Sequence, residues 1–113
     1  MKVLPYSPYI LKGNILFISG QLGINENNEI VSDDATEQFK QALKNLNNIL
    51  LSTGFSKEDI VKTTIFITDE SYFSQINEEF SKFFDNHKPT RTTIIVKALP
   101  KSAKVEIEAI AIK

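Results

Sequence analysis

Four stretches of this chain, ILFIS (15–19), IVKTTIFI (60–67), TTIIV (92–96) and KVEIEAIAI (104–112), are rich in β-branched residues and apolar on both alternating faces. Phe17 sits beside Ile18, and Ile94 beside Ile95. Successive strand side chains point to opposite faces, so a sheet built from these stretches has two apolar faces to bury. A shorter strand around 9–12 precedes a Gly13-Asn14 turn and pairs with 15–19 as a hairpin.

Two segments between the strands carry a helical period instead. In the first, Phe39, Ala42, Leu43, Leu46, Ile49 and Leu50 share a stripe that Glu37, Lys40, Lys44 and Asn48 avoid. Ser32 and Asp33-Asp34 offer N-caps, and Gly54 a left-handed stop. The second spans about 71–86, with Phe73, Ile76, Phe80, Phe83 and Phe84 on its core face and Asp69 or Ser71 as cap. A turn at SKED (56–59) leads into the strand between them. The order, β-β-(β)-α-β-α-β-β, is that of an α+β fold with both helices on one face of a mixed sheet. The other face is expected to be buried in an oligomer; isolated surface isoleucines are the bland alternative.

A chain of 113 residues is expected to form one domain, 1–113, which buries roughly two-thirds of its unfolded surface. With no cysteine, disulfides and thiol nucleophiles are excluded; with His87 as the one histidine, a zinc site lacks ligands. MKVLPYSPYILK is broken by Pro5, Pro8 and Lys12, so no signal-peptide core forms. Nothing approaches the ~20 apolar residues of a membrane span, and a cytoplasmic protein is expected. Net charge is −1, split into +4 over residues 87–113 and −5 before them. That bias could attract a small anion but is too weak and scattered for a nucleic-acid footprint.

GQLGINENNE (20–29) has two glycines without the spacing or following helix of a dinucleotide loop, and NENNEIVSDD lacks the glycine and terminal glutamate of a calcium loop. The second reads as a solvated hairpin loop leading into a helix cap. Ser19, in ISGQ, is in no nucleophile elbow. His87 closes the second helix, where an imidazolium would complement the dipole. Arg91 and Glu106 remain. Arg91 is the sole arginine beside twelve lysines and opens an apolar strand; Glu106 lies inside the last strand, on a face that turns apolar at Ile110. Residue type and spacing leave two readings open, a mutual or intersubunit salt bridge and a reactive site.

Several stretches in order carry a resemblance: PYSP (5–8), ISGQ (18–21), QALKNLNNIL, DIVKTTIFITD (59–69), INEEFSKFF (76–84), and Arg91 followed at fixed distance by Leu99-Pro100 and VEIEAIA (105–111). Along almost its whole length the chain resembles the RidA family. The resemblance implies a homotrimer of chorismate-mutase-like subunits, with the sheets as an inner barrel and sites in clefts between subunits. It implies hydrolysis of 2-enamine and 2-imine acids (2-aminoacrylate, 2-iminobutanoate, 2-iminopropanoate) to 2-keto acids and ammonia, without metal or organic cofactor. Arg91 would grip the substrate carboxylate, helped by backbone N–H groups near Thr93. Glu106 would position or activate the water, and Tyr6, Ser19 and Asn77 would complete the pocket. The chain departs from the family where Thr93 replaces a common cysteine and where only MKVL precedes PYSP, which leaves Tyr6 with less to anchor it. A non-catalytic trimeric sensor of keto acids is the alternative, with a ribonuclease or translation inhibitor behind it; binding alone would need Arg91 but not Glu106.

Overall fold

The computed structural model describes residues 4–113; most of MKVL, the short lead-in expected to leave Tyr6 with less to anchor it, lies outside them. Among the described residues, strands β1 (Tyr9–Lys12) and β2 (Ile15–Leu22) are joined through Gly13, whose φ of 60° suits a residue without Cβ. Helix α1 (Ala35–Ser52), strand β3 (Ile60–Ile67), helix α2 (Phe73–Phe84) and strands β4 (Thr90–Ile95) and β5 (Val105–Ile112) follow. The sheet order is β1-β2-β5-β3-β4. β4 runs parallel to β3 at one edge, and the other pairings are antiparallel. The mixed sheet and two covering helices match the α+β expectation. The bracketed strand before α1 is reduced to a single bridge between Ile24 and Ile30, because Asn25 closes the loop by accepting from the Asn27 and Glu29 amides.

The helix boundaries follow from their caps. The Asp34 carboxylate accepts from the Glu37 amide at 3.0 Å, and Gly54, at φ 81°, follows the Thr53 C-cap. Asp69 accepts from the Ser71 amide at 2.8 Å, but it caps a short 3₁₀ turn (Glu70–Tyr72) that delays α2 to Phe73. SKED is a 3₁₀ turn held by the Asp59 carboxylate, which accepts from the Ser56 amide at 2.9 Å.

The core lies between the helices and one sheet face, where Leu16, Phe39, Leu46, Ile65, Ile76 and Ile107 are fully buried. Each such side chain contributes about 1.5–3 kcal/mol. Phe73 departs from the expected core stripe: it is 45% exposed, because it opens α2 over β4 at the sheet edge. On the far face Phe17, Ile94 and Ile112 stay 40–45% exposed and no helix covers them. His87 differs from its expected role too. α2 ends three residues earlier, and the ring Nε2 lies 2.6 Å from the Ile60 carbonyl, fastening the α2–β4 connection to the start of β3.

Gln38 is the buried polar link of this layer. Its Nε2 donates to the Ser32 carbonyl and its Oε1 accepts from the Lys104 amide, both at 2.8 Å. Gln38→Leu leaves both backbone groups unpaired, and the expected loss is about 1–3 kcal/mol, read from urea unfolding midpoints at unchanged m.

Candidate functional site

β4 places Arg91 on the helix-covered face, opposite Thr63 of β3, under the first two turns of α2. Phe73, Asn77 and Phe80 line one side of that helix at spacings of four and three residues, and all three meet the guanidinium. Its centre lies 5.4 Å from the Phe73 ring and 4.9 Å from the Phe80 ring. Nε–H donates to Thr93 Oγ1 at 2.9 Å, and Nη2–H donates to Asn77 Oδ1 at 2.5 Å. Two of five donors are thus spent on orientation, which leaves enough for a two-bond grip on a carboxylate. Among the described residues no Asp or Glu pairs with this arginine. Burial holds Arg91 below the ordinary arginine value, but a guanidinium stays charged at neutral pH. A fixed, aromatic-flanked cation without a counter-ion is suited to a small anion.

Glu106 occupies a second cluster. It pairs with Phe66, whose neighbour in β4 is Ile94, so its side chain shares the open face with theirs. Positions 63 and 66 of β3 have opposite parity, which puts Arg91 and Glu106 on opposite faces of one sheet. A salt bridge between them within one chain is therefore ruled out. Burial lifts the Glu106 carboxyl above the usual carboxylate range, and the charge of Glu108 adds to the lift.

The other expected site residues divide between the two clusters. Asn77 and Thr93 sit with Arg91 as its orienting partners. Ser19 and Gly20 form an irregularity in β2 where the pairing with β5 slips between Ile18 and Gln21. The Ser19 hydroxyl donates to the Ser7 carbonyl at 2.7 Å, and its amide donates to the Pro8 carbonyl at 3.0 Å. Ser19 thereby pins the stretch that carries Tyr6, a residue that is 62% exposed. A concavity of about 290 Å³ opens on the bare face, lined by residues including Phe17, Ser19, Thr64, Glu108 and Ile110. Sequence reasoning missed Phe73, Phe80 and Gly20. The spacing of the two phenylalanines was a signal, but it is the same signal a core stripe gives.

A family model described as Endoribonuclease L-PSP matches residues 2–113. The human protein named 2-iminobutanoate/2-iminopropanoate deaminase is 39% identical over 110 residues, 96% of this chain and 80% of that protein. A solved structure of a Thermotoga maritima protein described as a putative endoribonuclease superposes with TM-score 0.95 at 42% identity, covering 98% of this chain and 88% of that one. Escherichia coli TdcF, solved with bound serine, superposes with TM-score 0.92 at 40% identity over 99% of this chain and 91% of its own.

Carbon-13 titration of the Glu106 side chain should place its midpoint above the ordinary carboxylate range. Glu108→Gln removes the like charge, so the midpoint should move down while staying raised, because burial is the larger cause.

Proposed function

The chain belongs to the RidA family, and from that membership we propose that it hydrolyses 2-enamine and 2-imine acids, such as 2-aminoacrylate, 2-iminobutanoate and 2-iminopropanoate, to 2-keto acids and ammonia. One observation carries the reading: a guanidinium without a counter-ion and a carboxyl lifted by burial lie on opposite faces of one sheet. Both can meet one small substrate only across a boundary between copies. Arg91, Thr93 and Asn77 would come from one copy and Glu106, Ser19 and Tyr6 from the next. The bare apolar face argues for the same assembly, a homotrimer of chorismate-mutase-like subunits with the sheets as its inner barrel.

The chemistry follows from those groups. The substrate carboxylate takes two parallel charge-assisted bonds from Arg91, with Thr93 and Asn77 holding the guanidinium plane. An enamine first gains a proton at its β-carbon and gives one up from nitrogen to become the imine. Glu106, ionised, accepts a proton from water as the oxygen bonds to the imine carbon, and the nitrogen takes a proton from solvent to give the carbinolamine. Glu106 then passes its proton to the amino nitrogen, the C–N bond breaks to release ammonia, and the hydroxyl proton returns to solvent as the C=O bond forms. Water and imine in, keto acid and ammonia out, the step needs positioned proton transfer and no cofactor. Ser19 acts mainly by holding Tyr6 in place, since its proton is already given to Ser7. The serine bound by TdcF is a small 2-amino acid, a ligand of the size this reading requires and one that carries the carboxylate Arg91 would grip. The endoribonuclease description of the family finds less support: His87 has its ring Nε2 engaged by the Ile60 carbonyl.

The test generates the imine from threonine or serine with a dehydratase and traps it with semicarbazide. The protein should divert flux from the adduct to keto acid, and Arg91→Ala should abolish the diversion. Glu106→Gln should lower kcat by about 10²–10⁴-fold. The wild-type rate should fall as pH drops through the raised Glu106 titration, because the ionised form is the base. Unchanged partitioning by the wild-type protein would sink the deaminase reading, and a stable monomer in sedimentation would sink the shared site. RNA cleavage that survives Arg91→Ala would belong to another site or another protein.

A further inference from the structure

We propose that Gly20 is a positioning residue for Glu106: the space left by its missing Cβ is where the carboxylate lies, whereas Gly23 serves the fold alone. The functional part of this inference rests on the deaminase reading of Glu106.

The two glycines of GQLG looked alike in the sequence, and the structure separates them. A Cβ built on Gly20 would stand 2.5 Å from Glu106 Oε2, 2.7 Å from Cδ and 3.1 Å from Cγ, and these are its three nearest neighbours. Among the described residues the left-handed glycines are Gly13 and Gly54, so Gly20 is not needed for its backbone conformation. It is needed for room. Glu106 lies in β5 between Leu22 of β2 and Phe66 of β3, and it reaches across β2 over the Ser19–Gly20 irregularity. That placement half-buries the carboxyl and fixes where a water on it would sit. An alanine at 20 would first meet atoms of one flexible side chain, that of Glu106. The carboxylate would rotate off β2, and the backbone would stay where it is.

Gly23 is different in kind. A Cβ there would run into the carbonyl oxygen, Cα and carbonyl carbon of Gln38, all backbone of α1. No rotamer change relieves that clash; the helix itself has to move. Asn45 binds the same turn to α1, donating to the Leu22 and Ile24 carbonyls at 3.0 and 2.9 Å.

The experiment compares Gly20→Ala, Gly23→Ala, Glu106→Gln and the Gly20→Ala/Glu106→Gln pair in the full-length assembled protein. Gly20→Ala should keep its melting temperature and its affinity for 2-oxobutanoate within about two-fold, since Arg91 is untouched, while kcat falls about 10–100-fold. In the Glu106→Gln background it should cost nothing further, because its effect passes through that side chain. The Glu106 carbon-13 titration should move toward the ordinary carboxylate range as the group turns to solvent. Gly23→Ala should lower the melting temperature instead. A wild-type kcat in Gly20→Ala, an undiminished loss in the double variant, or a collapse of the Gly20→Ala fold would overturn the proposal. If the wild-type protein proves inactive on imines, the functional reading falls, but the titration still decides the positioning: a shift in Gly20→Ala supports it and an unmoved midpoint overturns it.

Discussion

Two helices of eighteen and twelve residues cover one face of a five-stranded sheet whose strands carry apolar side chains on both. The covered face closes the core. The bare one keeps Phe17, Ile94 and Ile112 partly in water, a cost a single copy cannot recover. The proposed assembly would draw its driving force from that mismatch, and the proposed site would lie across the same boundary. Burying apolar sheet and completing the chemistry would then be one event, with neither half-site competent alone.

Parity along the strands does a second job. A half-buried guanidinium and a carboxylate placed side by side would pair, and a ligand would have to break that pair before binding. Arg91 and Glu106 are separated by the sheet, so neither can neutralise the other within a chain. Arg91 takes its support from neutral partners: two aromatic rings, an amide oxygen and a hydroxyl. These orient the cation without consuming its charge. Thr93 fits this pattern, since a hydroxyl oxygen accepts from Nε–H more strongly than the cysteine sulfur common in the family would.

Much of this was legible in the sequence where the cause is local. The α1 stripe, the Asp34 cap, the Gly54 stop and the Gly13 turn depend on residues within a few positions of one another, and all stand in the structure. What was hidden depends on long-range pairing. Phe73 and Phe80 have core spacing, and only the position of β4 at the sheet edge turns Phe73 outward over Arg91. The opposite facing of Arg91 and Glu106 follows from the registers in which β4 and β5 pair with the two sides of β3, which no local pattern encodes. β2 runs on through Gly20 to Leu22 because the irregularity absorbs a break that a glycine would otherwise suggest.

GQLG lacks the spacing and the following helix of a nucleotide loop, and its two glycines answer to different contacts. Their purposes lie on opposite sides of β2: α1 backbone crowds against Gly23, and the Glu106 carboxylate lies against Gly20. One contact is with atoms that cannot move and the other with atoms that can. A substitution at the first is therefore a question of stability, and at the second a question of where a single carboxylate points.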